Sequence, residues 1–309
     1  MPTISVQDLK KSYGHIQALK GVSFDVEEGE VFGVVGPDGA GKSTLFNILT
    51  TLLLPDSGSA TVLGRDLFKE YLEIRKSIGY LPGTFSLYPD LTVEENLIFF
   101  ATMYQSSIRE NMSIIKPIWK QLMPFKKRPA GKLSGGMKQK LALCCALIHK
   151  PTLLFLDEPT TGVDPVSRKE FWEILGTIKT QGITVVVSTP YMDEATLCDR
   201  IALLQEGEFI RMDTPANIIS SFQGELVTLR TDDIFKLLRK MADCTLNCTF
   251  YPYGENLHVI FYDPIATVLP SFEEFLQQND IAYDNLTQIA PTIEDCFIEV
   301  ASKQLKVKS

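Results

Sequence analysis

The chain has 309 residues, 45% of them hydrophobic, enough for one large domain and a second, smaller one with cores of their own. No stretch approaches the roughly 18 uncharged apolar residues that span a bilayer, and the first residues lack a basic region followed by an apolar one, so neither a membrane helix nor a signal peptide is expected. A net charge of −8 excludes a nucleic-acid footprint spread over the whole surface, and no nucleic-acid partner is expected.

Residues 3–35 alternate like short strands, broken at Gly14, Gly21 and Glu28-Gly29-Glu30, and predict an antiparallel β-layer. Tyr13 lies in that layer, where an aromatic side chain either packs or stacks on a base. The apolar run 31–35 reads as a buried strand. It leads into Gly36-Pro37-Asp38-Gly39-Ala40-Gly41-Lys42-Ser43-Thr44, which fits G-x-x-x-x-G-K-[ST], and residues 44–49 follow at helical spacing. In a strand, glycine loop and helix, backbone N–H groups close around a phosphate and the helix N-terminus adds partial positive charge. Lys42 is expected to reach the β- and γ-phosphates and the Ser43 hydroxyl to ligate Mg²⁺, so a nucleotide and Mg²⁺ are the expected ligands.

Residues 55–59 read as a turn, 60–64 as a strand, 69–77 as a short helix and 78–82 as a strand. From Thr92 to about Lys127 the pattern is helical, with Glu94 and Glu95 in the first turn. The stretch from Lys132 to Lys140 enters an apolar helix reaching His149. Ser134-Gly135-Gly136 at its start form a second anion-binding arrangement of hydroxyl, backbone N–H groups and helix N-terminus. An apolar strand then ends in Asp157 and Glu158, a Walker B pattern. Asp157 is expected to hold Mg²⁺ through water, and Glu158 to orient or deprotonate the attacking water, making Glu158 and Lys42 the catalytic pair. A strand at 183–188 ends at Thr189-Pro190, followed by a helix at 193–197 and a hairpin at 201–212. Strands alternating with helices predict an α/β fold with a mainly parallel sheet. The character shifts at 214–225, which predicts domains at 1–220 and 221–309. The second reads βαββαβ with a closing helix, a small α+β, ferredoxin-like unit. The six cysteines include no paired C-x-x-C motifs, so neither a disulfide nor a structural metal is expected. Lys303, Lys306 and Lys308 read as a solvated basic end.

With Leu133-Ser134-Gly135-Gly136-Met137 between the glycine loop and Asp157, and Thr161-Gly162-Val163-Asp164 behind, residues 3–220 resemble the ATPase subunits of ABC transporters. The N-K-x-D motif by which a GTPase reads its base is absent. The resemblance implies a P-loop ATPase fold with an antiparallel β subdomain and a helical subdomain at about 87–135 that contacts a membrane partner. It implies ATP held between the P-loop of one chain and the signature Ser134-Gly135-Gly136 of another, with Tyr13 stacked on adenine and Asp164 in the D-loop. Residues 87–96, 188–189 with 192–195, and 291–298 look like those of bacterial drug or lipid exporters. Residues 36–41 and 130–140 are similar to the first ATPase half of a two-ATPase exporter subunit. The implied setting is the cytoplasmic face of the inner membrane, reached through an integral membrane permease.

Two positions depart from the family. It places a Gln after the strand at 78–82, where this chain has Gly83, and a His at the end of the strand at 183–188, where this chain has Pro190. Proline offers neither a side-chain donor nor a backbone N–H. Two contacts to the γ-phosphate are therefore expected to be missing, unless Thr84, Ser86 or Thr189 fills in. With the signature kept, this favours a heterodimer with a second ABC ATPase chain, a homodimer being the alternative. A soluble ABC ATPase without a transport role and a non-hydrolysing, ATP-dependent scaffold are the competing readings.

Overall fold

The computed structural model describes residues 2–308, with side chains described as far as residue 302, so the basic end at Lys303, Lys306 and Lys308 lies outside the described side chains. The chain divides into two compact units, Met1–Pro215 and Ala216–Ser309. The first carries β1 (Ile4–Tyr13), β2 (Ile16–Val26), β3 (Val31–Val35), α1 (Lys42–Leu49), β4 (Ser57–Val62), β5 (Arg65–Asp66), α2 (Tyr71–Ser77) and β6 (Ile78–Leu81). Then come α3 (Val93–Met103), α4 (Ile108–Leu122), α5 (Gly135–Leu147), β7 (Leu153–Asp157), α6 (Pro165–Lys179), β8 (Thr184–Thr189), β9 (Arg200–Gln205) and β10 (Glu208–Asp213). Helix α7 (Pro215–Ser220) begins at the division. The second unit continues with β11 (Glu225–Arg230), α8 (Ile234–Met241), β12 (Cys248–Tyr253), β13 (Asn256–Phe261), α9 (Ile265–Gln278), β14 (Asp284–Gln288) and α10 (Ile293–Lys308).

The expected antiparallel layer has the order β2-β1-β4-β5. Gly21 does not break it. Leu9 pairs with Val22 and Lys10 with Lys20, so Gly21 is the extra residue of a β-bulge, and its φ of +118° suits glycine. Strand β4 starts at Ser57, inside the stretch that reads locally as a turn, because β1 supplies a pairing edge (Lys10 with Ser57).

The second sheet has the order β10-β9-β3-β8-β7-β6, and β9, β3, β8, β7 and β6 run parallel. Every residue of β3, β7 and β8 is buried, as parallel strands covered on both faces require. Phe32, Phe46, Phe155 and Val186 sit in the core beneath α1 and the antiparallel layer. Register then places the chemistry. Val35 pairs with Thr189, Asp157 with Ser188 and Leu81 with Leu156. The loops after β3, β6, β7 and β8 therefore leave from one edge, the carboxyl ends of the strands, where open α/β sheets hold ligands.

The helical run expected from Thr92 to Lys127 is two helices. The chain reverses at Gln105, whose φ is +52°, and Ser107 caps α4 by accepting from the Glu110 N–H. Thr92 and Glu95 close a capping box on α3. The expected helix at 193–197 is a single 3-10 turn, Glu194–Leu197. Helix α5 is buried along most of its length. Its Lys140 is tied to Gln121 of α4 at 2.7 Å and to Glu170 of α6 at 2.5 Å. None of the six cysteines is disulfide-bonded.

The second unit has the expected βαββαβ connectivity, with the antiparallel order β12-β13-β11-β14. Helices α8 and α9 cover one face, through Leu237, Met241, Phe272 and Leu276 on Val227, Leu257 and Val259. Ile298 of α10 packs on Leu226, Tyr251 and Ile260 of the other. Asp295 anchors the start of α10. Its carboxylate accepts from His258 Nδ1 at 2.8 Å, from the Thr292 N–H and hydroxyl at 2.6 Å each, and from the Tyr251 hydroxyl. Burial pushes this carboxyl up, but the bonds from His258, Thr292 and Tyr251 outweigh burial and hold it at about 2. A depressed carboxyl gives stability that is present above its unfolded value of 3.8 and is lost as pH falls through about 2. Between pH 4 and 2 the wild-type chain is expected to lose about 2 kcal/mol more than Asp295→Asn. Urea unfolding across that window checks this, and parallel curves for the two proteins would place the acid sensitivity elsewhere.

Candidate functional site

Helix α1 begins without a side-chain cap: Gly41 is its N-cap, in a left-handed conformation at φ +111°. The first N–H groups are thus left open, the arrangement that receives an anion. Only glycine fits there, since a Cβ on Gly41 would stand 2.4 Å from the Ala18 carbonyl oxygen of β2. Lys42 is 3% exposed. Its ammonium donates to the carbonyls of Gly36 at 2.8 Å and Pro37 at 3.0 Å and pairs with Glu158 Oε1 at 3.1 Å. The Asp38 carboxylate stands farther off, at 3.9 Å.

At the end of β7, Asp157 Oδ1 accepts from Ser188 Oγ at 2.5 Å, and the Ser43 hydroxyl is near enough to favour its ionised form. Burial pushes the Asp157 carboxyl above the usual range, against the lowering by Ser188 and Ser43. Glu158 adopts a left-handed φ of +48°, held by its N–H donating to Ser188 O at 3.1 Å and Ser188 Oγ at 2.9 Å. A non-glycine residue in this region costs about 1–3 kcal/mol. The turn sets the carboxylate against Lys42, and its other oxygen accepts from Thr161 Oγ1 at 3.3 Å.

Tyr13, Ala18, Gly39, Gly41, Lys42, Ser43, Thr44 and Glu158 line a cleft of about 260 Å³. Tyr13 is 49% exposed at the end of β1, with the Lys11 ammonium 5.9 Å from its ring centroid. That exposure leaves the ring accessible to solvent at the cleft. Gly36, Pro37, Asp38 and Ala40 stand outside this lining. Gly36 is wedged against the Leu204 carbonyl oxygen, where a Cβ would come within 2.1 Å, and Ala40 is buried.

Ser134, Gly135, Gly136 and Asp164 do not line the cleft either. Ser134 caps α5 by accepting from the Met137 N–H at 3.4 Å. A Cβ on Gly136 would meet the Ser167 side chain at 2.7 Å, so α5 starts hard against the first turn of α6. Asp164 caps α6 by accepting from the Ser167 N–H at 3.0 Å, which holds its carboxyl below the usual range. The structure therefore makes two separate groups: Tyr13, Lys42, Ser43 and Glu158 at the cleft with Asp157 beside them at the end of β7, and Ser134, Gly135, Gly136 and Asp164 around the α5–α6 contact.

The two departures both fall beside the first group. A Cβ on Gly83 would lie 3.2 Å from the Asp157 carbonyl oxygen. Pro190 follows the last residue of β8, and the Thr189 hydroxyl donates to Glu194 Oε2 at 2.5 Å. Sequence reasoning missed the partners that brace these loops: Ser188 as a ligand of both Walker B residues, and Thr160, Arg168 and Glu194. The polar ends of β7 and β8 were the one signal that could have pointed to them.

Among the described residues, no three His, Cys, Asp or Glu side chains gather into a metal-binding group. Ser43 and Asp157 instead offer two hard oxygen donors near one another. That set fits a Mg²⁺ ion completed by water and phosphate, and a cation there would relieve the burial of the carboxylate.

Residues 19–161 match the model of the ABC transporter family. Over 310 residues the chain is 33% identical to the Nod factor export ATP-binding protein I of Rhizobium sp. (strain N33), covering 98% of each chain. The chain belongs to the ATP-binding proteins of ABC transporters. Within that family it is 44% identical over 217 residues to the probable multidrug ABC transporter ATP-binding protein YbhF of Escherichia coli (strain K12). That match covers 70% of this chain and 38% of YbhF, so the chain spans well under half the length of that relative. The dimeric post-hydrolysis structure of the ATP-binding cassette MJ0796, bound to ADP and Pi, superposes with a TM-score of 0.62 at 29% identity. It covers 68% of this chain and 98% of that one. The fold of the first unit is thus that of an ABC ATP-binding cassette. No helix among the described residues is long and apolar enough to cross a membrane.

Proposed function

We propose that this chain is the ATP-binding subunit of a bacterial exporter, working from the cytoplasmic face of the membrane through a separate permease. The observation that carries the proposal is the convergence of Lys42–Glu158 and Ser43–Asp157 on an uncapped helix start. In this reading the open N–H groups of α1 and the Lys42 ammonium hold the phosphates, and Tyr13 stacks on the base. Ser43 and Asp157 hold Mg²⁺, which when bound neutralises phosphate charge. Glu158, steered by its left-handed backbone and the Ser188 bonds, orients the water that attacks the γ-phosphate. Ser134, Gly135, Gly136 and Asp164 face a second chain's nucleotide, since they stand away from the cleft of their own.

The site is proposed to be weak. Gly83 and Pro190 supply no side-chain donor, and the Thr189 hydroxyl is committed to Glu194. A second ATPase chain then does most of the hydrolysis against this chain's signature, in a heterodimer. Purified chain turning over ATP on the order of 1 s⁻¹ or faster, an ordinary enzyme rate, would overturn the weak-site reading.

Titration calorimetry with Mg-ATP tests the binding role. Lys42→Ala removes a buried cation from two phosphates, and hydrogen bonds to charged groups contribute about 1.5–3 kcal/mol each. Affinity is expected to fall about 10²-fold, read at a temperature where both proteins are folded. Equal affinity in both proteins would rule out Lys42 as a phosphate ligand.

A further inference from the structure

We infer that Glu194 is a positioning residue for the ATP site, a buried carboxylate that ties the end of β8 to residues 160–168 so that both segments respond to nucleotide together. The inference rests on the cleft at Lys42 being the ATP site.

Glu194 is 2% exposed, a burial that a lone carboxylate does not tolerate without partners. Its oxygens are shared between two segments. Oε2 accepts from Thr189 Oγ1 at 2.5 Å. Oε1 accepts from Thr160 Oγ1 at 2.8 Å and from Arg168 Nε at 3.1 Å. Thr160 and Thr189 are themselves buried, and Thr189 Oγ1 also accepts from the Tyr191 N–H at 3.1 Å. The Arg168 guanidinium lies 4.0 Å from the Tyr191 ring centroid and reaches Asp193 at 3.3 Å.

Both ends of this cluster touch site residues. On one side the Thr189 carbonyl accepts from the Gly36 N–H at 3.2 Å, and the adjacent Ser188 holds Asp157 and the Glu158 N–H. On the other, Arg168 adjoins Ser167, against which Gly136 of the signature helix is packed. One path from the phosphate loop to the signature helix therefore runs through this carboxylate, beside the one that Ser188 makes to the Glu158 N–H. Water is excluded from the carboxylate, so its bonds are strong, and the loss of any donor leaves buried charge short of a partner. A carboxylate that served only its own 3-10 turn would not need donors from both segments, and the bonds Glu194 accepts come from Thr189, Thr160 and Arg168, all outside that turn. Pro190 leaves no side chain of its own to report on the γ-phosphate, which makes the neighbouring Thr189–Glu194 bond the direct link between the end of β8 and residues 160–168.

Hydrogen–deuterium exchange on the full chain, with and without Mg-ATP, tests this without relying on turnover. In the wild-type chain, Mg-ATP is expected to slow exchange in residues 36–44 and also in 158–168, each at least about fivefold, the equivalent of roughly 1 kcal/mol of local opening. Thr189→Val keeps volume and removes the hydroxyl. It is expected to keep the slowing at 36–44 and lose it at 158–168, while Thr189→Ser restores both. Glu194→Gln is expected to show the same split and stands in if the valine variant melts early. Retained slowing at 158–168 in Thr189→Val and Glu194→Gln overturns the inference, as does a wild-type 158–168 segment silent to Mg-ATP. Loss in both segments together with a lowered melting temperature assigns Glu194 a structural role only, and overturns it equally. No slowing at 36–44 in the wild-type chain is a different failure: that of the ATP-site reading itself.

Discussion

Pro190→His is expected to raise steady-state ATP turnover of the purified chain about 10²-fold, the scale on which one positioned donor acts on a transferring group. The backbone is already in place for it. Thr189 pairs with Val35 in the sheet, and the Thr189 carbonyl accepts from the Gly36 N–H, so residue 190 leaves the sheet beside the start of the phosphate loop. Proline there offers no donor from either side chain or backbone. Gly83→Gln is expected to add less by itself. A Cβ at that position stands 3.2 Å from the Asp157 carbonyl oxygen, and the loop must yield by a few tenths of an ångström before the amide can be aimed. A coupled-enzyme assay on the two single variants and the double variant checks the order. Unchanged turnover in Pro190→His, at unchanged ATP affinity, would show that the missing imidazole does not limit the rate.

The parts of this site that were legible in the sequence are those set by neighbours along the chain. The apolar runs of β3, β7 and β8 mark strands buried on both faces, and the residues that follow them, Gly36 to Thr44 and Asp157-Glu158, carry their chemistry in residue type and spacing alone. Where the reading failed, partners distant in sequence decided the outcome. Gly21 reads as a break until β1 is laid beside it and makes it a bulge. The helical pattern after Thr92 conceals the left-handed Gln105 because no glycine or proline marks the reversal. The left-handed Glu158 depends on Ser188, 30 residues away, and that pairing exists only once β7 and β8 are in register. Glu194 is the extreme case. Nothing in its own stretch marks it for burial, and it is buried because Thr160, Arg168 and Thr189 converge on it from two other segments.

Glu158→Gln should move binding and turnover in opposite directions, and that opposition is what separates a catalytic carboxylate from a structural one. Lys42 is held at 3.1 Å by Glu158 as well as by two carbonyls, so an incoming phosphate must share the ammonium with a carboxylate. Removing that negative charge while keeping the side chain's shape relieves the competition. The pair is partly open to solvent on the Glu158 side, which limits the gain to about 1 kcal/mol, or roughly fivefold tighter Mg-ATP binding. The left-handed backbone at residue 158 is held by its own N–H through Ser188, not by the carboxylate, so the amide keeps the same geometry. An amide cannot take a proton from water, and the loss of a positioned base lowers turnover by at least about 10²-fold. Calorimetry and single-turnover hydrolysis on the same preparation read the two effects separately. Tighter binding with unchanged turnover would leave Glu158 as a partner of Lys42 alone and move the base to another residue, whereas weaker binding would mean that the carboxylate helps to form the phosphate site and does not compete for it.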